Sequence, residues 1–123
     1  MRLHELRKAL AGLGKELNIE MELFDASFHP VFEESLSLAG CQVIKSVWET
    51  QNKFLLLESS KHYLCEGCSQ KCPLISGVFF PINFSEGKVF ALIARNREDQ
   101  NNFLNNQDSY IRTGEALVKI LES

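Results

Sequence analysis

"LISGVFFPINFSEGKVFALIAR", residues 74–95, is two apolar runs joined by Ser85, Glu86 and Gly87. Runs of this length, rich in Val, Ile and Phe and bounded by a turn signal, read as strands. Gly87 supplies the flexible turn residue, so the pair reads as a hairpin. The second run, "KVFALIAR", is apolar nearly throughout, which predicts a central strand covered on both faces. Pro81 has no backbone N–H to give to a ladder, so its strand is expected to be an edge or to bulge there.

Working outward from this hairpin, residues 97–104 read as a short helical turn and residues from about 107 as a long helix. Ile111, Gly114, Val118 and Leu121 step by 3, 4 and 3, which makes one helical stripe. Gly114 on that stripe either lets another helix approach closely or is a weak point. At the other end, Leu3, Leu6, Leu10, Leu13 and Leu17 form a similar stripe close to an a/d seam. It either packs on this chain's own sheet or pairs with a second copy. Ile19, Met21 and Leu23 then alternate with Glu20 and Glu22, the period of a half-buried strand. "DASFHP" is a turn, "VF" begins a second short strand, and "EESLSLAG" is a short helix ended by Gly40. Residues 41–60 fit two readings. "CQVIKSVW" and "FLLLES" can be strands about "ETQNK", or Val47, Trp48, Gln51, Phe54 and Leu55 can share a helix face. The helix is the preferred reading. Together these elements predict an α+β fold, one antiparallel sheet with flanking N- and C-terminal helices.

The 123 residues suffice for one domain with a hydrophobic core. Hydrophobic residues make up 45% and charged residues 24%, a globular composition. A net charge of −3 with no Lys/Arg cluster speaks against direct nucleic-acid binding. No apolar stretch approaches the roughly 18 residues of a membrane span, and the first residues lack a signal-peptide core, so a cytoplasmic protein is expected. "LVKILES" stops inside a helical pattern, which suggests a fragment or stand-alone copy of something longer. The nucleotide-binding, serine-nucleophile and zinc-protease motifs are all missing, and no enzyme is predicted. The adjacent acids Glu33/Glu34 and Glu98/Asp99 read as helix-start charges.

Chemistry concentrates in "HYLCEGCSQKCPL", residues 62–74. Cys65, Cys68 and Cys72 have the spacing C-x2-C-x3-C, close enough for each to reach one metal ion or cluster. Thiolates favour zinc and iron–sulfur clusters, and both normally need four ligands. Cys41 is the first candidate for the fourth, with His62 and His29 as rivals. The spacing does not choose between zinc and an iron–sulfur cluster. Reduced thiols, or a reversible Cys65–Cys68 disulfide, remain the alternative. Aromatic residues add a second theme. Trp48, Phe79 and Phe80, with Tyr63, Phe84 and Phe90, either line a small-molecule pocket or fill the core. Arg95 holds an anionic ligand at the pocket mouth or is a surface residue. The ligand-binding candidates are thus Trp48, Phe79, Phe80 and Arg95.

These residues carry a resemblance. "CQVIK", "YLCEGC", a further Cys, "SGVFFPINFSEGKVFALIA" and the closing "Q", "FL" and "YI" resemble the N-terminal sensory domains of bacterial sigma-54-dependent transcription activators. They are also similar to PocR-type domains, a GAF/PAS-like class with a conspicuous cysteine pattern. The similarity spans about residues 18–122. It implies a GAF/PAS-like sensor that dimerises through its terminal helices and signals to an ATPase or DNA-binding output domain not present in this chain. Position by position, Cys41, Cys65, Cys68 and Cys72 match the family's cysteines. Two departures stand out: "NKFLLLES" lacks a cysteine that many PocR-type domains carry there, and Ala91 stands where "GKVIG" has glycine.

Overall fold

The computed structural model describes residues 3–17, 19–32, 41–58, 65, 76–85 and 87–123. Among them run α1 (Leu3–Leu17), β1 (Glu20–Phe24), α2 (Gln42–Thr50), β2 (Leu55–Leu57), β3 (Ser76–Phe84), β4 (Gly87–Ala94), α3 (Arg97–Asn105) and α4 (Gln107–Glu122). The strands form one antiparallel sheet in the order β1-β4-β3-β2. The protein has an α+β fold, with helices flanking the sheet. The segment 33–40, read as a short helix, lies outside the described residues.

The hairpin expected from residues 74–95 is the centre of this sheet. β4 lies between β1 and β3, and every residue from Val89 to Ala94 is buried. Its alternate side chains feed two cores. Phe90, Leu92 and Ala94 join Val78, Phe80 and Ile82 of β3 and Met21 and Leu23 of β1 on one face. Leu10 of α1, Phe103 of α3 and Leu121 of α4 close that face. On the opposite face Val89, Ala91 and Ile93 join Phe24, Leu57 and Phe79, closed by Ile44 and Val47 of α2. Burying a large apolar side chain contributes about 1.5–3 kcal/mol, so both layers matter to stability.

The structure sharpens several expectations. Leu10 is buried and Leu13 packs beside it, so this part of the α1 stripe serves the chain's own sheet. The Gly114 stripe also packs on the sheet. A Cβ at Gly114 would collide with the ring of Phe80, so the close approach is made by a strand's phenylalanine and not by another helix. Pro81 sits in a central strand, but β2 pairs only with Gly77–Phe79, and the β3–β4 register shifts between Pro81 and Phe84. The bulge reading of Pro81 holds. Beyond it, Asn83 N donates to the Glu122 carboxylate of α4 at 2.9 Å.

Three readings are corrected. Residues 41–58 are neither one helix nor two strands: α2 ends at Thr50 and β2 starts at Leu55. Gln51 takes the left-handed conformation (φ 53°), and its side chain donates to Trp48 O at 2.5 Å, which terminates the helix. Gln51, Phe54 and Leu55 therefore leave the helical face that Val47 and Trp48 share. "VF" forms no named strand: Val31 and Phe32 lie in a bend after an isolated bridge between Phe24 and Pro30. The strand alternation at β1 is broken by Glu22, which is only 1% exposed. Its Oε1 accepts from Leu23 N (2.8 Å), Val31 N (3.1 Å) and Phe32 N (2.8 Å), while Val31 N also lies 2.8 Å from Leu23 O. A buried carboxylate needs such donors, and bonds to a charged group are the stronger kind. Glu22 thus fastens the 30–32 segment alongside β1.

At the other end of β4, Asn96 caps α3 by accepting from Asp99 N at 2.8 Å. Glu98 and Asp99 fall in the first turn, as their helix-start reading requires. Phe103 of α3 stacks on Tyr110 of α4, with ring centroids 5.3 Å apart. Burial pushes the Tyr110 phenol above its ordinary 10.0, and the Asp99 carboxylate adds to the rise.

Candidate metal centre

Of the four cysteines expected to ligate, the described residues include two. Cys41 is the N-cap of α2, in extended conformation (φ −64°, ψ 125°), with no side-chain hydrogen bond to the first turn. Cys65 lies well beyond β2 in the chain. Both are half-buried, and both pack against the core cluster on the α2 face of the sheet. The fold therefore carries Cys41 and the first cysteine of the C-x2-C-x3-C segment to the same side of the sheet. Cys68, Cys72 and His62 lie outside the described residues. Among the described residues no group of three or more His, Cys, Asp and Glu side chains is placed to hold a metal ion.

His29, the other rival ligand, is exposed on the turn after β1. That turn is built by main-chain contacts: Asp25 N donates to His29 O at 3.0 Å, and the Asp25 carboxylate accepts from Ser27 N and His29 N. Phe28 takes φ 61° within the turn and packs against the same α2-face cluster as the two cysteines.

The aromatic candidates separate. Phe79 and Phe80 are neighbours on one strand, so they point to opposite faces. Phe79 is buried under α2, with Trp48 packed at the margin of its cluster. Phe80 is buried under α4 and meets the Phe54 ring at 6.3 Å between centroids. One pocket cannot be lined by both. Trp48 and Phe79 share the cysteines' face, whereas Phe80 does not. Lys88 Nζ stands 4.4 Å from the Trp48 ring centroid, a cation–π contact. Arg95 pairs with Glu20 of β1 at 2.6 Å and so ties the end of β4 to the start of β1. A polar cleft of about 600 Å³ opens at the α3–α4 junction, lined by Asn106, Asp108, Arg112 and Thr113 among others. None of the four ligand-binding candidates borders it.

Two polar groups escaped the sequence reading. Glu22 offered no signal, because its partners are main-chain N–H groups nine and ten residues away. Ser76 is 0% exposed, and its Oγ bonds Gln100 Oε1 at 2.9 Å. A small polar residue inside an apolar strand is a hint of such a partner. Among the described residues no helix is long and apolar enough to cross a membrane. Comparison of the chain with protein-family models, with curated proteins and with solved structures finds no match to any of them.

Proposed function

We propose that this chain is a non-enzymatic sensory module of a bacterial transcription regulator, with a cysteine-ligated metal or iron–sulfur centre. The observation that carries the reading is that Cys41 and Cys65 each pack against the same cluster on one face of the sheet. Cys41, Cys65, Cys68 and Cys72 would be the ligands. The donor set fits such a group, being four soft sulfurs, two of them half-buried beside apolar residues. Cys41 also stands at the start of α2, where the helix's free N–H groups favour the negative charge of several thiolates. The resemblance to GAF/PAS-like PocR-type domains adds the rest of the reading: a cytoplasmic homodimer joined through its terminal helices, a small-molecule ligand near Trp48 and Phe79, and an output domain outside this chain.

A second reading is a structural zinc module that binds a protein partner and no small ligand. It is favoured by the filling of the α2 face, where Phe79 is 1% exposed and Lys88 covers the Trp48 ring. Anaerobic purification with an absorption spectrum and metal analysis of the same sample separates the two. A brown protein with about four irons per chain supports an iron–sulfur sensor. One colourless zinc per chain supports the structural module. Loss of the metal on Cys41→Ser as well as on Cys68→Ser is expected in either case. A metal-free protein with four titratable thiols would overturn both readings.

A further inference from the structure

The cleft at the α3–α4 junction lies outside everything the proposed function uses. α3 and α4 pack on the face of the sheet opposite Cys41 and Cys65. The cleft's volume of about 600 Å³ falls within the range of small-molecule sites, about 300–1,000 Å³. Its lining holds one acid and one base, Asp108 and Arg112, among amides and hydroxyls. The two stand four residues apart on α4. At that spacing an acid and a base are neighbours, about 5–6 Å apart at Cβ, and attract each other. Here they do not pair. The ion pairs among the described residues are Lys45–Glu49 and Arg95–Glu20, and neither cleft residue takes part in one. Both are exposed. The walls around them are set by the chain itself. The Phe103–Tyr110 stack joins the two helices. Asn106 donates from N to Phe103 O (3.1 Å) and from Nδ2 to Asn102 O (2.8 Å), and Thr113 Oγ1 donates to Ser109 O at 2.9 Å. Walls already in place lower the cost of ordering on binding.

We propose that this cleft binds a free amino acid as its zwitterion, with the α-carboxylate on the Arg112 guanidinium and the α-ammonium on the Asp108 carboxylate. A simple anion is attracted by Arg112 and repelled by Asp108, and a simple cation meets the reverse. A small molecule that carries both charges side by side suits an acid and a base one helical turn apart. The guanidinium presents a planar fork that a carboxylate meets with two parallel bonds. An ammonium only donates and a carboxylate only accepts, so the two ends of the ligand are not interchangeable. The amides of Asn105, Asn106 and Gln107 also border the cleft, which favours a polar side chain that both donates and accepts. The proposal does not involve the cysteines, so a metal-free protein leaves it standing.

The test is a titration of the whole chain with L-glutamine and with glycine, followed by NMR amide shifts. Saturable shifts confined to the α3–α4 junction are expected. Asp108→Asn and Arg112→Gln should each weaken binding about tenfold, the effect of one charge-assisted bond. Glu115→Gln, on α4 but outside the lining, should bind as the wild type does. N-acetylglutamine lacks the ammonium, so it should bind about tenfold more weakly and be indifferent to Asp108→Asn. Glutaminamide lacks the carboxylate and should be indifferent to Arg112→Gln. Both substituted residues are exposed, so the melting temperatures should stay as in the wild type. If a variant loses stability, the two ligand analogues on the wild-type chain carry the same test. No saturable shift with either amino acid, shifts elsewhere in the chain, or equal affinity in the wild type and both variants overturns the site. Unchanged affinity for both analogues overturns the zwitterion assignment.

Discussion

The two faces of the sheet are made by the same strands and built to different standards. On one face Phe80, Phe90 and Leu92 lie under residues from α1, α3 and α4. On the other, Phe79, Ala91 and Ile93 lie under α2, a helix of nine residues, with Cys41, Cys65, Phe28 and Trp48 around the rim. The first face is sealed by helices that follow one another or begin the chain. The second is sealed by that one short helix and by small local contacts such as the Lys88–Trp48 pair, while the Glu22 carboxylate fastens Val31 and Phe32 to the first face. The lesson is that one sheet is closed by unequal means, with residues of three helices on one face and of a single short helix on the other.

Neighbouring phenylalanines give the hardest test of that contrast. Phe80→Ala opens a cavity between Gly114 and Phe54 and should cost about 3–5 kcal/mol. Phe79→Ala should cost less, since α2 is short and can settle into the gap. Denaturant titration of both variants checks the order, and a larger loss for Phe79→Ala breaks the comparison. Glu22→Gln comes next. It replaces charge-assisted bonds with neutral ones at three N–H groups, two of them buried, for a loss of roughly 2 kcal/mol. Faster exchange of Val31 and Phe32 amides should accompany it. Lys88→Met should cost about 0.5–1 kcal/mol. Trp48 is the chain's single tryptophan, so its emission should report this change and stay silent in Phe80→Ala variants that remain folded. The smallest effect belongs to Tyr110. Its phenol ionises at higher pH folded than unfolded, because burial and then Asp99 oppose the charge. Its contribution is therefore full below the unfolded value of 10.0 and is lost as pH rises through the folded one. Tyr110→Phe should flatten that alkaline decline in stability, and an unchanged slope would assign the decline to other groups.

The hairpin was legible because two long apolar runs flanked a glycine turn, a pattern that few other structures satisfy. α3 and α4 were legible from first-turn acids and a stripe, whereas the Asn96 cap was not read from the sequence. Residues 41–57 were not, since their apolar residues suit both periods, and the left-handed backbone at Gln51 decides between them. The separation of Phe79 from Phe80 follows from the two-residue period of a strand, yet a pocket reading based on composition passes over it. The spacing of Cys65, Cys68 and Cys72 is what made that segment a candidate site. That Cys65 packs against the same cluster as Cys41 depends on α2 being laid on one face of the sheet, a long-range fact that no local pattern carries.

β3 has one further property. Among the described residues no strand lies beside its outer side past Phe79, because β2 is only three residues long. A bare strand margin invites other chains to add themselves, and from there fibrous aggregation begins. Here the invitation is withdrawn at alternate positions. Pro81 has no hydrogen to offer, and the Asn83 N–H is already held by Glu122. A register shift between them spoils the repeat that an incoming strand would have to match. This margin of β3 is thus closed to growth of the sheet from molecule to molecule. Pro81→Val combined with Glu122→Ala should restore that growth as rising light scattering.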